Sequence, residues 1–415
     1  MRSTQYLLIG GGLASHRAAR ILAAKHPGAP ITLVSKETRL PYDRPPLSKE
    51  FLRGEKTESE LAYDPSAFFE EKRIEVVLGD PAVELDPLRK RATLASGAAI
   101  RYEKALVATG GDPVRLDVPG SSLAGIHYLR SIEDSAAIRR DAAPGRRAAV
   151  VGAGFIGMEL AASLATIGVR VTVIETLPRI WARFLDDRLS DFVRGYFEKR
   201  GISFHTGERV REFAGDTRVS AVVAESGLRI DCDFVCVGVG IRPSVELAGS
   251  AGLDVDNGIV VDERLAASRP DIYAAGDAAN FPDPVFGRRR RVEHWGHAEY
   301  SGQIAALNMA GIDARYDLLS YAWSDVFDLH LEFAGDESGY DRTLVRGSTG
   351  DTSFTVLYLA RDVLRAYLAV NASSREFPGL QKLIRSGVPL AGRYGELADP
   401  KFDLKTLLRP GGKEK

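Results

Sequence analysis

Two glycine-spaced turns stand where a backbone could receive a phosphate. Near the start, the apolar run Tyr6 to Ile9 is followed by Gly10-Gly11-Gly12-Leu13-Ala14-Ser15. The spacing nearly fits G-x-G-x-x-G, with Ser15 in the third glycine place. In that pattern the first Gly permits a tight turn and the second admits a pyrophosphate to the backbone. The third lets the following helix lie close on the strand. Free N–H groups at the helix start then face the phosphates, and the helix dipole adds to the attraction. The second turn is a full match, with Gly152, Gly154 and Gly157 after the strand Ala148 to Val151. Glu175 closes the next strand, 18 positions after Gly157. A carboxylate there accepts hydrogen bonds from ribose hydroxyls and repels a 2′-phosphate, which points to NAD rather than NADP. The first unit ends its strand in Ser35-Lys36-Glu37, so Glu37 is displaced by two residues from the equivalent place. The bland readings are an ordinary tight turn and a surface Glu. The flanking strands and helices favour the functional ones.

Other residues have the types for chemistry. Arg44 and Lys49 flank Pro45 and Pro46, which stiffen the loop that presents them. Asp271 to Asp277 reads as a strand ending in Gly276-Asp277, which puts a carboxylate at the carboxyl edge of a sheet, where it can bind a sugar-alcohol hydroxyl; the alternative is a helix cap. The only cysteines are Cys232 and Cys236, placed by their pattern in one strand from Ile230 to Val237. At i and i+4 they would lie roughly 13 Å apart, too far for a disulfide, and read as core residues.

The elements that must position these groups follow from periodicity. Tyr6 to Ile9 and Ile31 to Val34 read as strands around a helix from Leu13 to Ala24. The pattern returns about 142 positions later, with a helix from Met158 to Ile167 and a strand from Val169 to Ile174. Two segments, Gly110 to Gly120 and Gly238 to Pro243, read as crossings between domains. After Trp323 come short strands, Ser353 to Leu359 and Leu364 to Val370, and a helix from Gly379 to Ile384. The fold class is therefore α/β, with two Rossmann-like dinucleotide-binding domains and a C-terminal α+β domain. A length of 415 residues allows about two or three domains.

Composition sets limits. Hydrophobic residues are 45% and charged residues 27%, the balance of a globular protein. The net charge of −1 gives no global attraction to nucleic acid or anionic lipid. Two cysteines exclude a disulfide scaffold. No apolar run reaches the roughly 18 residues of a membrane span. The first apolar run, preceded only by Arg2 and stopped by glycines, reads as a strand and not a signal peptide, so a cytoplasmic address is expected.

Five segments in order make the chain resemble a known family. They are Leu40 to Lys49 (LPYDRPPLSK), Ala108-Thr109-Gly110, Gly152 to Glu159, Val237 to Pro243 (VGVGIRP) and the Gly276-Asp277 segment. The chain resembles the FAD-dependent, NADH-oxidising ferredoxin reductases of oxygenase systems. It is also similar to the apoptosis-inducing-factor and monodehydroascorbate-reductase groups, all with glutathione-reductase-like nucleotide domains.

The resemblance implies an FAD domain in two parts (1–113 and 243–320), an inserted NAD domain (114–242) and a C-terminal domain (321–415). It implies a flavin site of Gly10, Gly12, Leu13, Ala14, Ser35, Lys36, Glu37, Arg44, Lys49, Ala82, Ala108, Thr109, Gly110, Arg130, Gly276, Asp277, Glu293, His294, Trp295, Ala298 and Trp323. For the nicotinamide nucleotide it implies Gly152, Gly154, Phe155, Ile156, Gly157, Glu159, Glu175, Thr176, Arg183 and Gly240. Lys49 would lie by the reactive edge of the ring, Asp277 on the ribitol, Glu159 near the nicotinamide and Trp323 by the ring. These three, Lys49, Glu159 and Trp323, are the expected catalytic residues.

Two departures stand out. Related disulfide reductases place a Cys pair where this chain has the Arg44 to Lys49 loop, so electrons are expected to leave the flavin directly. The family's usual Trp-Ser-Asp-Gln-Tyr is here Trp323-Ser324-Asp325-Val326-Phe327, which leans toward the monodehydroascorbate-reductase side. His297 also departs from the commoner Asn; for it and for His294 a packed or surface role is the favoured reading.

The expected partner is a [2Fe–2S] ferredoxin, steered by a basic rim from Arg288 to Arg291, with the protein's own acidic groups as the alternative destination of that run. A homodimer stays open; nucleic acid and membrane are not expected. Two rivals stay open as well: an NADH oxidoreductase for a quinone or monodehydroascorbate, and a redox-sensing binding protein. Glu175 predicts that NADH is preferred to NADPH by roughly tenfold or more in kcat/KM. Steady-state kinetics with both coenzymes checks this, and comparable efficiency refutes it.

Overall fold

The computed structural model describes residues 2–182, 185–336 and 338–408. The strand Arg2–Ile9 is buried along most of its length and pairs in parallel with Ile31–Val34 and Ala99–Val107. Four consecutive apolar or small residues in Ile31–Val34 are all buried, as a parallel strand covered on both faces requires. The strand Ile272–Ala274 joins this same sheet, in parallel with Ala99–Val107. The chain thus leaves the first sheet and returns to it about 165 residues later. On one face the helices Leu13–Lys25 and Trp295–Met309 pack together. A Cβ at Gly302 would lie 2.3 Å from the Ala14 carbonyl oxygen, so the glycine permits that approach.

The second parallel sheet has the order Ser203–Thr206, Arg170–Glu175, Arg147–Val151, Phe234–Val237, Ile126–Tyr128. Its helix Phe155–Ile167 follows the second glycine turn. The two crossing segments pair with each other: Gly111–Pro113 runs antiparallel to Ile241–Pro243.

The C-terminal sheet is antiparallel, in the order Tyr321–Val326, Leu329–Gly335, Val363–Val370, Ser353–Ala360, Arg342–Ser348. Strand alternation divides its side chains between two cores. Val326, Leu331, Phe333, Val356 and Leu368 join Trp181, Leu185 and Leu189 of the second unit. Leu357, Tyr367 and Ala369 pack under the helix Phe377–Ser386 with Leu380 and Leu383. The sheet is therefore seated on the second unit by one whole face.

The structure corrects the single strand expected for the cysteines. Arg229–Asp231 belongs to a three-stranded antiparallel sheet with Val219–Ala224, whereas Phe234–Val237 is in the parallel sheet. Cys232 lies between them and its N–H donates to the Ser220 carbonyl at 3.0 Å. Both thiols are buried and free. Burial raises both pKa values, that of Cys232 to about 12, so neither is a reactive thiolate at neutral pH.

His297 pins the Gly276–Ala278 turn from inside the core. Its ring is fully buried, with one nitrogen 2.8 Å from the Tyr316 hydroxyl and the other 3.3 Å from the Gly276 carbonyl. Phe281 stacks on it at 4.7 Å. A neutral ring that accepts from Tyr316 and donates to Gly276 satisfies both atoms. Burial lowers its pKa from 6.5 to about 4, with Asp277 opposing in part. The unfolded chain therefore binds a proton, between pH 6.5 and about 4, that the folded protein refuses. Stability falls as the pH drops through that window, at a limit of about 1.4 kcal/mol per pH unit for one such group. His297→Asn removes this titration. Its thermal midpoint should fall less steeply than the parent's between pH 6.5 and pH 4 in a series of melts; parallel slopes would refute the assignment.

Candidate active site

Both glycine turns have the shape that a dinucleotide needs. Gly10 has φ +123°, and a Cβ there would lie 2.1 Å from the Ala108 carbonyl oxygen. Gly12, by contrast, has no heavy atom within 4 Å of a built Cβ. The floor at the start of the helix is therefore open where a pyrophosphate would approach. Leu13 and Ala14 open that helix, and Ser15 fits fully buried in the third place. In the second turn Gly154 is open in the same way, while a Cβ at Gly157 would lie 2.0 Å from the Gly152 carbonyl oxygen.

Glu175 folds over the second turn. Its carboxylate accepts the Ala153 N–H at 2.6 Å and the Leu177 N–H at 2.8 Å. This holds it at the sheet edge, with Thr176 next along the chain. Phe155 and the exposed Ile156 open the helix. The Phe155 ring lies 5.6 Å from that of Trp181, whose buried indole N–H has no hydrogen-bond partner among the described residues. A buried donor left over beside an open phosphate turn fits a further polar ligand. Arg183 lies outside the described residues. Gly240, with φ +116°, precedes the second crossing strand.

Around the first turn a chain of charges runs across the sheet edge. Ser35 sits against Gly11, and its hydroxyl accepts the Glu37 N–H at 3.1 Å. Lys36 pairs with Asp112 at 2.7 Å. Glu37 is taken by the Arg44 guanidinium and the Tyr42 hydroxyl, each at 2.6 Å. Burial pushes the Glu37 carboxyl up, but Arg44, Tyr42 and Arg130 more than offset it, and the net shift is downward. Arg44 also donates to the Arg130 carbonyl at 2.5 Å, and Arg130 reaches Asp277 at 3.3 Å. Thr109 donates to the Ser244 carbonyl at 2.6 Å, next to Ala108 and Gly110. Ala82 begins the strand Ala82–Asp86. Arg291 pairs with Glu293 at 2.6 Å, and Ala298 approaches Gly276. His294 keeps a buried Nδ1 with no hydrogen-bond partner among the described residues; burial lowers its pKa to about 4, so the ring is neutral at neutral pH. Open glycine floors and orphaned buried nitrogens at the edges of both sheets fit two bound dinucleotides.

Lys49 and Glu159 meet where the three units come together. The Lys49 ammonium lies 2.7 Å from Glu159 Oε2, and both side chains are below 10% exposed, at 8% and 5%. The Ser48 hydroxyl donates to the same oxygen at 2.5 Å, and the Ser324 hydroxyl donates to Oε1 at 2.7 Å. Ser163 donates to the Ser48 carbonyl at 2.6 Å, and Arg53 donates to Ser163 at 3.2 Å. Trp323 is half-buried, edge-on to Trp295 at 5.6 Å and stacked near Tyr321 at 6.3 Å. The Trp295 indole N–H is tied to Asp43 at 2.9 Å.

The basic rim expected at Arg288 to Arg291 is occupied by the protein itself. These residues form a strand antiparallel to Ala279–Asp283. Arg288 pairs with Asp336 at 2.6 Å and Arg290 with Asp283 at 3.0 Å. Arg289 donates to the Val261 and Asn280 carbonyls, and Arg291 takes Glu293. The departure at Val326 to Asp328 also has an internal role. Val326 is buried, Phe327 packs on Phe197 at 5.4 Å, and Asp328 binds Tyr196 and Arg200 of the second unit. It seats the C-terminal sheet. The sequence reading missed Ser48, Ser163, Ser324, Tyr42, Asp43 and Trp181 as parts of the site. Position beside Arg44, Lys49 and Trp323 was the available signal for most of them. Trp181, one of only three Trp, offered only its rarity.

Among the described residues no helix is long and apolar enough to cross a membrane. Residues 4–302 match the pyridine nucleotide-disulphide oxidoreductase family, and residues 321–408 match the reductase C-terminal family. The anthranilate 1,2-dioxygenase system ferredoxin--NAD(+) reductase component of Burkholderia cepacia is 34% identical over 409 residues, covering 98% of this chain and 100% of that protein. The crystal structure of the ferredoxin reductase for the CYP199A2 system of Rhodopseudomonas palustris superposes with a TM-score of 0.92 at 35% identity, over 97% of this chain and 99% of that one. That of a covalent putidaredoxin reductase–putidaredoxin complex gives 0.92 at 32% identity, over 98% and 99%. With its doubled nucleotide fold and its C-terminal sheet, the chain belongs to the FAD-dependent, NADH-oxidising ferredoxin reductases of the pyridine nucleotide-disulphide oxidoreductase family.

Proposed function

We infer that the protein takes a hydride from NADH onto bound FAD and passes electrons one at a time to a [2Fe–2S] ferredoxin that feeds an oxygenase. The observation that carries this reading is the buried Lys49–Glu159 pair at the junction of the three units, with Trp323 and Trp295 packed edge to face close by and both thiols buried elsewhere in the core. FAD, when bound, supplies the exchange between two-electron and one-electron chemistry.

The chain's own residues bind and orient. Gly10 and Gly12 with the helix start at Leu13 receive the FAD pyrophosphate. Arg130 and Asp277 hold its sugar-alcohol end, and Arg44 braces the loop that carries Lys49. With FAD bound, Lys49 would supply a cation that stabilises the electron-rich reduced ring. Glu159 holds that cation in one place and would border the nicotinamide. Glu175 selects the ribose of NADH. Trp323, beside Trp295, which Asp43 holds in place, would cover the ring. No side chain needs to act as acid or base, so placement of donor and ring carries the rate. The division into 1–113, 114–242, 243–320 and 321–415 is the domain assignment that goes with this reading.

The test is anaerobic stopped flow of the NADH-reduced protein against a [2Fe–2S] ferredoxin, with a quinone and monodehydroascorbate in parallel. Rapid flavin reoxidation by the ferredoxin is expected. Slow reaction with it beside rapid reaction with a small acceptor would overturn the reading, and flavin that stays reduced for minutes in every arm would favour a sensor. In the same assay Trp323→Ala should slow turnover with ferredoxin by about ten- to a hundredfold while FAD content holds; unchanged turnover removes Trp323 from the site.

A further inference from the structure

We propose that Ser324 is a positioning residue for the Lys49–Glu159 pair and gives the C-terminal unit a direct hold on the hydride-transfer site. The proposal rests on the reading above that this pair faces the cofactor.

The last torsion of a Glu side chain is broad and has no strong preference of its own. The plane of the Glu159 carboxylate must therefore be set by its hydrogen bonds. Its two oxygens are divided between two parts of the chain. Oε2 takes Lys49 and Ser48 from the first unit, and Oε1 takes Ser324 from the C-terminal sheet. Ser324 is fully buried and Glu159 nearly so, which leaves Oε1 little access to water as a substitute donor. Without Ser324, Oε1 loses its donor, and only Lys49 and Ser48 on Oε2 remain to set the plane of the carboxylate, which can then turn about its last bond.

Strand geometry explains why a C-terminal residue does this. Successive residues of Tyr321–Val326 point to opposite faces. Trp323 goes to the side of Trp295, and Ser324 goes to the side of Glu159. Val326, two residues on, shares the Ser324 face and is buried against the second unit. Phe327 and Asp328 anchor the following turn on Phe197, Tyr196 and Arg200. The docking of the whole sheet thus fixes where the Ser324 hydroxyl sits.

The test uses the FAD-loaded full chain as Ser324→Ala, Ser324→Cys, Glu159→Gln and the double variant Ser324→Ala/Glu159→Gln. FAD content, the flavin midpoint potential and the single-turnover rate of flavin reduction by NADH are measured for each. A hydroxyl bond to a charged group is worth about a tenfold effect. Ser324→Ala should keep its FAD, slow reduction about tenfold and lower the two-electron potential by about 30 mV, the equivalent of tenfold. The potential falls because the carboxylate charge is less offset beside the electron-rich reduced ring. Ser324→Cys keeps the volume with only a weak donor and should match Ser324→Ala. Adding Ser324→Ala to Glu159→Gln should change little, since the two act through one group. Effects that multiply in the double variant, a parent-like Ser324→Ala, or a parent-like Ser324→Cys beside an impaired Ser324→Ala would assign Ser324 to packing alone and overturn the proposal. A parent-like Glu159→Gln would instead overturn the reading of the pair itself, and the proposal with it.

Discussion

A carboxylate buried as deeply as Glu159 must be paired where it lies, and every group that pairs it comes from elsewhere in the chain. Its helix, Phe155–Ile167, carries it inward from the second sheet. Lys49 and Ser48 reach it from the first unit and Ser324 from the third. Such a pair adds little net stability, because desolvation offsets much of the attraction. It is strict about geometry, however, since loss of any partner leaves charge or a polar atom buried and unsatisfied. All three units must therefore be seated together for this one group to be satisfied, and the candidate site is their common boundary.

The loop from Leu40 to Lys49 does much of the delivery. Three of its side chains go to three destinations. Asp43 accepts from Trp295 and Tyr63, Arg44 binds Glu37 and the Arg130 carbonyl, and Lys49 takes Glu159. Pro41, Pro45 and Pro46 limit the backbone states of the loop, so less order has to be imposed by contacts. Opposite it, the strand Tyr321–Val326 delivers Trp323 and Ser324 to two sides by alternation alone. Rigid pieces thus set the geometry, which suits a reaction whose rate rests on placement.

The charged surface follows the same logic of internal demand. A run of four arginines looks like a docking rim only while its neighbours are unknown. Strand pairing lays it beside Asp283, and the fold brings Asp336 to Arg288. Asp336 is nearly buried and Asp283 is buried, so both need their cations; Arg289 meanwhile caps backbone carbonyls. The Val326 to Asp328 departure is spent likewise on the contact between sheet and second unit.

What the sequence determined by itself was local. The glycine turns, the flanking strands and helices, the two crossings and the change of pattern near Trp323 were all legible, because tight turns and periods of two and 3.6 are imposed within a few residues. The helix from Phe155 differs from its reading only by starting one turn earlier. The residues proposed to bear the chemistry, Lys49, Glu159 and Trp323, were singled out through motif order, and the fold brings Lys49 and Glu159 into contact. Tertiary structure decided what depends on distant partners. It split the expected cysteine strand between two sheets, because Arg229–Asp231 and Phe234–Val237 pair with different neighbours. It paired the arginine run with the protein's own carboxylates and carbonyls. It also joined Ser324 to Glu159, 165 positions apart, for no local period reports which hydroxyl a docked sheet will bring to a buried carboxylate.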